Sequence, residues 1–394
     1  MFDPKDEEAA DSGAIIYSNR RPRQPGDPDS EIDPDQLRPI SDDAERAMKA
    51  AAEMSPTRQI NLDGKEAVHI HHRLMSMFTH ELDRQAENRA EMAADDDLFD
   101  HLHYTDEELA IYKRRGQTPV VYNITQTTVN WVLGTQRRSP MDYKILPRTP
   151  EGIKTAESKT ELMKHLSDVN RSEYEHSQAF AAAVRVGLGW IECGQGRPHE
   201  GIKVFDRYED WRYMLWDSTA KRYDLQDARY QFRAKWLDLD VAETMWSNRA
   251  GTIRASVNGT ILGLYGSDDL GDEPMDSQEM AHLDITSRSA RGFGTWSRDR
   301  VRVIEAWFRR PVPKAPFMRG GQFHGELFDP WSIGHVNDLN TGAATISASP
   351  AEVMFVGLMT ERGMLYLNRS PFRHNRFPFT AVWGYRRQRD GMPY

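Results

Sequence analysis

The spacing of apolar residues changes character about halfway along the chain. From about Lys65 to Ala94, the residues Val68, Leu74, Met75, Met77, Phe78 and Leu82 form an approximate helical stripe with charged residues on the other face, and Asp95, Asp96 and Asp97 are expected to end the helix. A second helix follows Pro119, with Ile124, Thr128, Trp131, Val132 and Thr135 on one side, and the stretch from Gly134 to Pro140 marks its end before the strand-like MDYKILP. From about Ala156 to Val186 the recurrence of Leu162, Leu166, Val169, Phe180 and Val184 predicts one long helix, stopped by Gly187 and Gly189.

Beyond this point the apolar runs are short and rich in aromatic and β-branched residues, as in strands: WIEC, GIKVF, WRYMLW and RYQFRAKW, then VRVIEAWF, EVMFVGLM, MLYLN and FPFTAVW. In the fourth run Tyr230, Phe232, Ala234 and Trp236 alternate with Arg229, Gln231, Arg233 and Lys235, which sends mostly rings to one face and polar groups to the other. Asp240 and Glu243 resemble a capping box opening a short helix around VAETMW. Helices early and a mixed or antiparallel β-rich region later make the fold class α+β. The expected organisation is a disordered arm over 1–60, a helical region over 61–190 and a β-rich region with a short helix over 191–247. A Gly-, Ser- and Asp-rich loop or insertion over 248–298, which a neighbouring subunit could order, leads to a second β-rich region over 299–394.

Composition narrows the class. Ten Trp, fourteen Tyr and fifteen Phe among 394 residues exclude a wholly disordered chain. No apolar run reaches the roughly 18 residues of a membrane-spanning helix, and the acidic start MFDPKDEEAADSG lacks the character of a secretory signal, so a protein cytosolic when made is expected. The one cysteine, Cys193, cannot form an intrachain disulfide or a multi-cysteine zinc site, and is expected to be a buried, unreactive thiol. A net charge of −9 argues against a protein whose main task is gripping nucleic acid.

Candidate chemistry is sparse. His69 and His72 lie three apart and His72 and His80 about two helical turns apart, so imidazoles could share a face as metal ligands do; without an HExxH spacing or a cysteine pair, a solvated or interface face is preferred. Asp217, Asp224 and Asp227 could bind a cation or serve as acid and base, but their spacing matches no calcium loop, and turn formation between strands is the preferred reading. Phosphate-binding loop, dinucleotide fingerprint and GxSxG elbow are missing, so no catalytic residue, cofactor or metal is expected. The basic groups Lys113, Arg114, Arg115, Arg137, Arg138, Arg386, Arg387 and Arg389 could contact phosphates or a neighbouring subunit. The tryptophans at 190, 211, 216, 236 and 246 read as core or interface anchors.

Five segments in order carry a resemblance: VYNITQTTVNWVLGTQRRSPMDYKILPR, SQAFAAAVRVGLGWIEC, FDRYEDWRYMLWDSTAKRYDLQDARYQFRAKWLDLDVAETMW, VRVIEAWF and YLNRSPFRHNRFPFTAVWGYRRQRDGMPY. The series resembles the portal proteins, or head-to-tail connectors, of short-tailed bacteriophages of the podovirus type. The third segment is the most specific, with Trp216 and Asp217 ending a strand and Asp224 and Asp227 in the turn that follows; the resemblance makes these family-motif residues structural. It further implies a wing-type architecture and a homo-oligomeric ring of about twelve subunits, with an axial channel for packaging and ejecting viral double-stranded DNA and for attaching the tail. The implied partners are the terminase motor, which would hold the ATP chemistry, the major capsid and scaffolding proteins, and tail adaptor proteins, with no membrane. The implied place is the portal vertex of the virion, after assembly in the host cytoplasm. An acidic balance suits a conduit that DNA must slide through. Portals of this type continue beyond a GMPY-like segment, so the chain is expected to represent the N-terminal and middle part of such a protein. The alternatives are another virion tail or capsid interaction protein, or a metal-dependent hydrolase using Asp217, Asp224 and Asp227 or the His69 to His80 helix.

Overall fold

A computed structural model of the chain describes residues 60–139, 142–148, 150–196, 204–257, 300–329, 332–372 and 374–393. The arm expected over 1–60 and most of the loop or insertion expected over 248–298 lie outside the described residues. The fold is α+β, with helices first and antiparallel sheets later. Two compact units share the chain, one formed by 74–235 and 377–393, the other by 60–73, 236–257 and 300–376.

The first unit takes helix α1 (Lys65–Phe99) from Leu74 onward. Its buried positions are Leu74, Phe78, Glu81, Leu82, Gln85, Asn88, Arg89, Met92 and Asp96, a three- and four-residue recurrence that keeps one face inward although half of it is polar. The three aspartates do not end the helix as expected. Asp96 sits on the buried face, where it accepts from the Trp211 indole and pairs with Arg185 and Arg212, so the helix runs on past it. Helix α2 (Asp106–Arg114) follows, opened by a capping box between Thr105 and Glu108 that the sequence reading overlooked.

Helix α3 (Ile124–Arg137) is capped by Asn123 and buries Val129 and Leu133; the expected face with Ile124 and Trp131 points outward. Residues 142–148 form no strand, and Ile145 N–H donates to the Thr160 hydroxyl instead of to a ladder partner. The single long helix expected next is two, α4 (Ile153–Asn170) and α5 (Ser172–Val186), separated by Arg171 in the left-handed region at φ 53° and ψ 41°. That conformation ends one run of helical hydrogen bonds and starts another.

Strand β1 (Leu188–Gln195) lies between β2 (Val204–Glu209) and β8 (Phe379–Trp383), antiparallel to both. Helix α5 covers one face, and the approach is close enough that a Cβ on Gly189 would stand 2.1 Å from the Ala179 carbonyl oxygen. The other face carries Trp190, Glu192 and Glu209 toward the hairpin of β3 (Met214–Trp216) and β4 (Tyr230–Asp238). Arg233 on β4 reaches Glu192 and Glu209 at 2.6 and 2.8 Å and stacks over Phe379. The opposite face of β4 meets α1, with Phe78 edge-on to Phe232 and Tyr230 donating to Glu81. Alternation along β4 is therefore as expected, but both faces are covered, and the basic one lies within a salt-bridged layer between sheets. Cys193, expected to be buried, is exposed on β1; its thiol is pushed up by partial burial and then by Asp206 and Glu192.

In the second unit, α6 (Leu239–Met245) and α7 (Ala250–Arg254) pack Ala242 and Ile253 against Val301, Val303 and Leu365. Asp240 does not cap α6: the helix starts one residue before it, and Glu243 pairs with Arg254. Strand β5 (Arg300–Gly320) runs antiparallel to β6 (Ala344–Thr360), and β6 to β7 (Gly363–Arg369). The prolines at 311, 313 and 316 do not end β5; a register shift between Val312 and Ala315 absorbs the irregularity. Helix α8 (Ile333–Asn340) lies between β5 and β6 in sequence, and its buried His335 accepts from Asp329 N–H and contacts Glu326.

Candidate functional site

The motif singled out in the sequence connects β3 to β4. Trp216 closes β3 with its ring 5.7 Å from Trp190 and 6.2 Å from Trp383, so the turn leaves from an aromatic cluster. Asp217 is 1% accessible, and its two oxygens are divided across the turn: Oδ1 accepts from Thr219 N–H and hydroxyl, Oδ2 from Arg229 N–H. Asp227 accepts from the N–H groups of Lys221 and Arg222, and Asp224 from Gln226 N–H and the Arg222 guanidinium. Each carboxylate thus satisfies backbone donors that the turn would otherwise leave unpaired.

Arg386 fastens the turn from outside. Its guanidinium donates to the carbonyls of Ala220, Lys221, Arg222 and Gly391, and lies over the rings of Trp383 at 4.8 Å and Tyr223 at 5.7 Å. The indole N–H of Trp383 donates to the Tyr223 carbonyl at 2.7 Å. A pocket of about 390 Å³ opens beside Tyr223, Trp383 and Tyr385; Asp224 is its one acid, so it holds no carboxylate pair for acid–base work.

Helix α1 supports the same segment from below. Gln85 Nε2 donates to the Trp216 carbonyl at 2.7 Å, and Arg89 donates to the carbonyls of Trp211, Arg212 and Met214 at 3.0 to 3.3 Å. Glu81 accepts from the Tyr230 hydroxyl and from Ser218 N–H, and Asn88 donates to the Pro393 carbonyl. Burial, then the Glu81 charge, pushes the Tyr230 phenol well above its usual range, so it remains a donor. The apolar pattern alone does not point to Glu81, Gln85, Asn88 and Arg89; what marks them in the sequence is that the stripe begun by Leu74 and Phe78 keeps its period through polar positions.

The remaining candidates are dispersed. His69, His72 and His80 are exposed, whereas the neighbouring His71 is buried with its Nε2 at 2.8 Å from the Thr360 carbonyl. Arg137 donates to the Ser177 hydroxyl, Arg138 to the Gly134 carbonyl, and Arg387 lies near Asp390 and Glu91. Among the described residues no three or more His, Cys, Asp or Glu side chains are placed to hold a metal ion, and no helix is long and apolar enough to cross a membrane.

Acids, an arginine and a helix stripe thus converge by hydrogen bonds on the backbone of one connection. A family model described as Phage P22-like portal protein matches residues 75–394, which takes in the α1 stripe from Phe78 onward, the whole motif and the Arg386 clamp. The comparison with curated proteins found no match. The chain belongs to the P22-like portal protein family of phages.

Proposed function

We propose that the chain is the repeating subunit of a closed ring of about twelve copies, whose axial channel passes viral double-stranded DNA during packaging and ejection. The family match over residues 75–394 carries this reading. Two features support it. Large apolar side chains stand exposed on the helices and their connections between 98 and 174, among them Leu102, Tyr122, Ile124 and Trp131, a surface suited to burial by neighbours. The net charge of −9 keeps phosphate contacts weak in a conduit where DNA must slide.

In this reading Trp216, Asp217, Asp224 and Asp227 build the scaffold and catalyse nothing. Arg137 and Arg138, at the end of α3, are the cations available to a subunit interface; Arg386 is committed to carbonyls. The terminase motor, the capsid and scaffolding proteins and the tail adaptors would dock on the assembled ring at the portal vertex. Native mass spectrometry with electron microscopy of the purified protein tests the proposal. A ring with a central hole supports it; a stable monomer or dimer across a wide concentration range overturns it.

A further inference from the structure

The outer face of α3 is apolar beyond what its composition suggests. Ile124, Thr128, Trp131 and Thr135 recur along one side of the helix and are all exposed, Ile124 at 74% and Trp131 at 70%. The hydroxyl of Thr128 donates to the Ile124 carbonyl and that of Thr135 to the Trp131 carbonyl, which folds the polar atoms back onto the helix and leaves methyl groups outward. The helix contains no acid, and Arg137 and Arg138 close the stripe.

The outer face of α1 has the opposite character. Asp83, Glu87, Glu91 and Asp95 follow one another at four-residue intervals and are all exposed, and Leu98 lies exposed beyond them. Like charges four apart repel along a helix. Partial burial, then Glu91 and Asp96, pushes the Asp95 carboxyl up. Arg84 interrupts this line, and among the described residues Glu91 is the one of the four acids in an ion pair, with Arg387 at 3.8 Å.

We propose that the outer face of α3 is a contact of the ring, seated on a second copy of this chain, with Trp131 as its anchor and Arg137 and Arg138 against the acidic line of the neighbour's α1. The occupant follows from complementarity: one chain carries an apolar patch with a basic end and an acidic line with an apolar end, the unlike pair that a head-to-tail contact requires. Tryptophan and arginine are also among the residues enriched at the hot spots of interfaces. The inference rests on the ring reading above.

Native mass spectrometry of the wild type, Trp131→Glu, the pair Arg137→Glu and Arg138→Glu, the pair Asp83→Lys and Glu87→Lys, and all four charge reversals together tests it. Each of the first three variants is expected to lose assembled rings by about tenfold or more, with an unchanged circular dichroism spectrum, and the fourfold variant to regain them. Wild-type-like rings from Trp131→Glu would remove α3 from the interface while the ring reading stood. Loss without rescue in the fourfold variant would overturn the pairing of α3 with α1. A wild type that makes no ring overturns the ring reading itself.

Discussion

The side-chain amide of Gln85 donates to the backbone carbonyl of Trp216 at 2.7 Å, joining the middle of a helix to a residue 131 positions later in the chain. Gln85→Leu keeps much of the volume and leaves that carbonyl buried without its donor. The expected cost is about 1–3 kcal/mol, read as a lower urea midpoint with an unchanged slope. A variant as stable as the wild type would show that the carbonyl finds another donor.

Arg386→Lys should be costly although the charge is kept. A lysine ammonium cannot reproduce a planar fork that serves four carbonyls while lying on two rings. A loss of about 3 kcal/mol is expected, with new protease cleavage between Asp217 and Arg229. An intact loop under limited proteolysis would contradict the clamp.

Stability should fall on mild acidification. Burial holds the His71 imidazole below its ordinary value of 6.5, against the favourable Thr360 carbonyl, with the neighbouring His72 charge lowering it further. Because the folded value is the lower one, the unfolded chain takes up the proton first. Stability is complete above about pH 6.5 and is lost as pH drops through that value toward the folded one. Urea midpoints measured at about pH 7.5 and about pH 5 should differ less in His71→Gln than in the wild type. His374 is lowered by burial and then by Arg376, so its contribution has the same sign and persists in the variant.

Gly384→Ala would place a Cβ 2.0 Å from the Ala183 carbonyl oxygen on α5, a backbone atom that cannot swing aside. At least about 2 kcal/mol of destabilisation is expected, measured by thermal unfolding. At Arg171 the sign reverses: Arg171→Gly relieves a left-handed residue at φ 53° and should stabilise by about 0.5–1 kcal/mol in the same assay.

The strands were legible because aromatic alternation survives tertiary context; RYQFRAKW turned its rings inward as read. What lay on the other face was not, since Arg233 and Lys235 look like solvent-facing cations until Glu192 and Glu209 arrive from distant strands. The break at Arg171 has no local signal, as its left-handed backbone is imposed by packing on either side. Residues 142–147 have strand-like composition but form no strand among the described residues. The role of the aspartates after Trp216 was readable as turn chemistry, whereas the Arg386 clamp and the polar stripe of α1 depend on residues more than 120 positions away. Single-residue patterns cannot report such pairings.

The polar stripe on α1 gives the helix a single seat. Sliding it by one turn, about 5.4 Å, would withdraw Gln85, Asn88 and Arg89 together from the carbonyls they serve, and no intermediate position satisfies them. An apolar stripe of the same length would creep under load, because one greasy contact replaces another. Here the helix is keyed to one register: an axial shift would have to break its hydrogen bonds to the segment from Trp211 to Trp216.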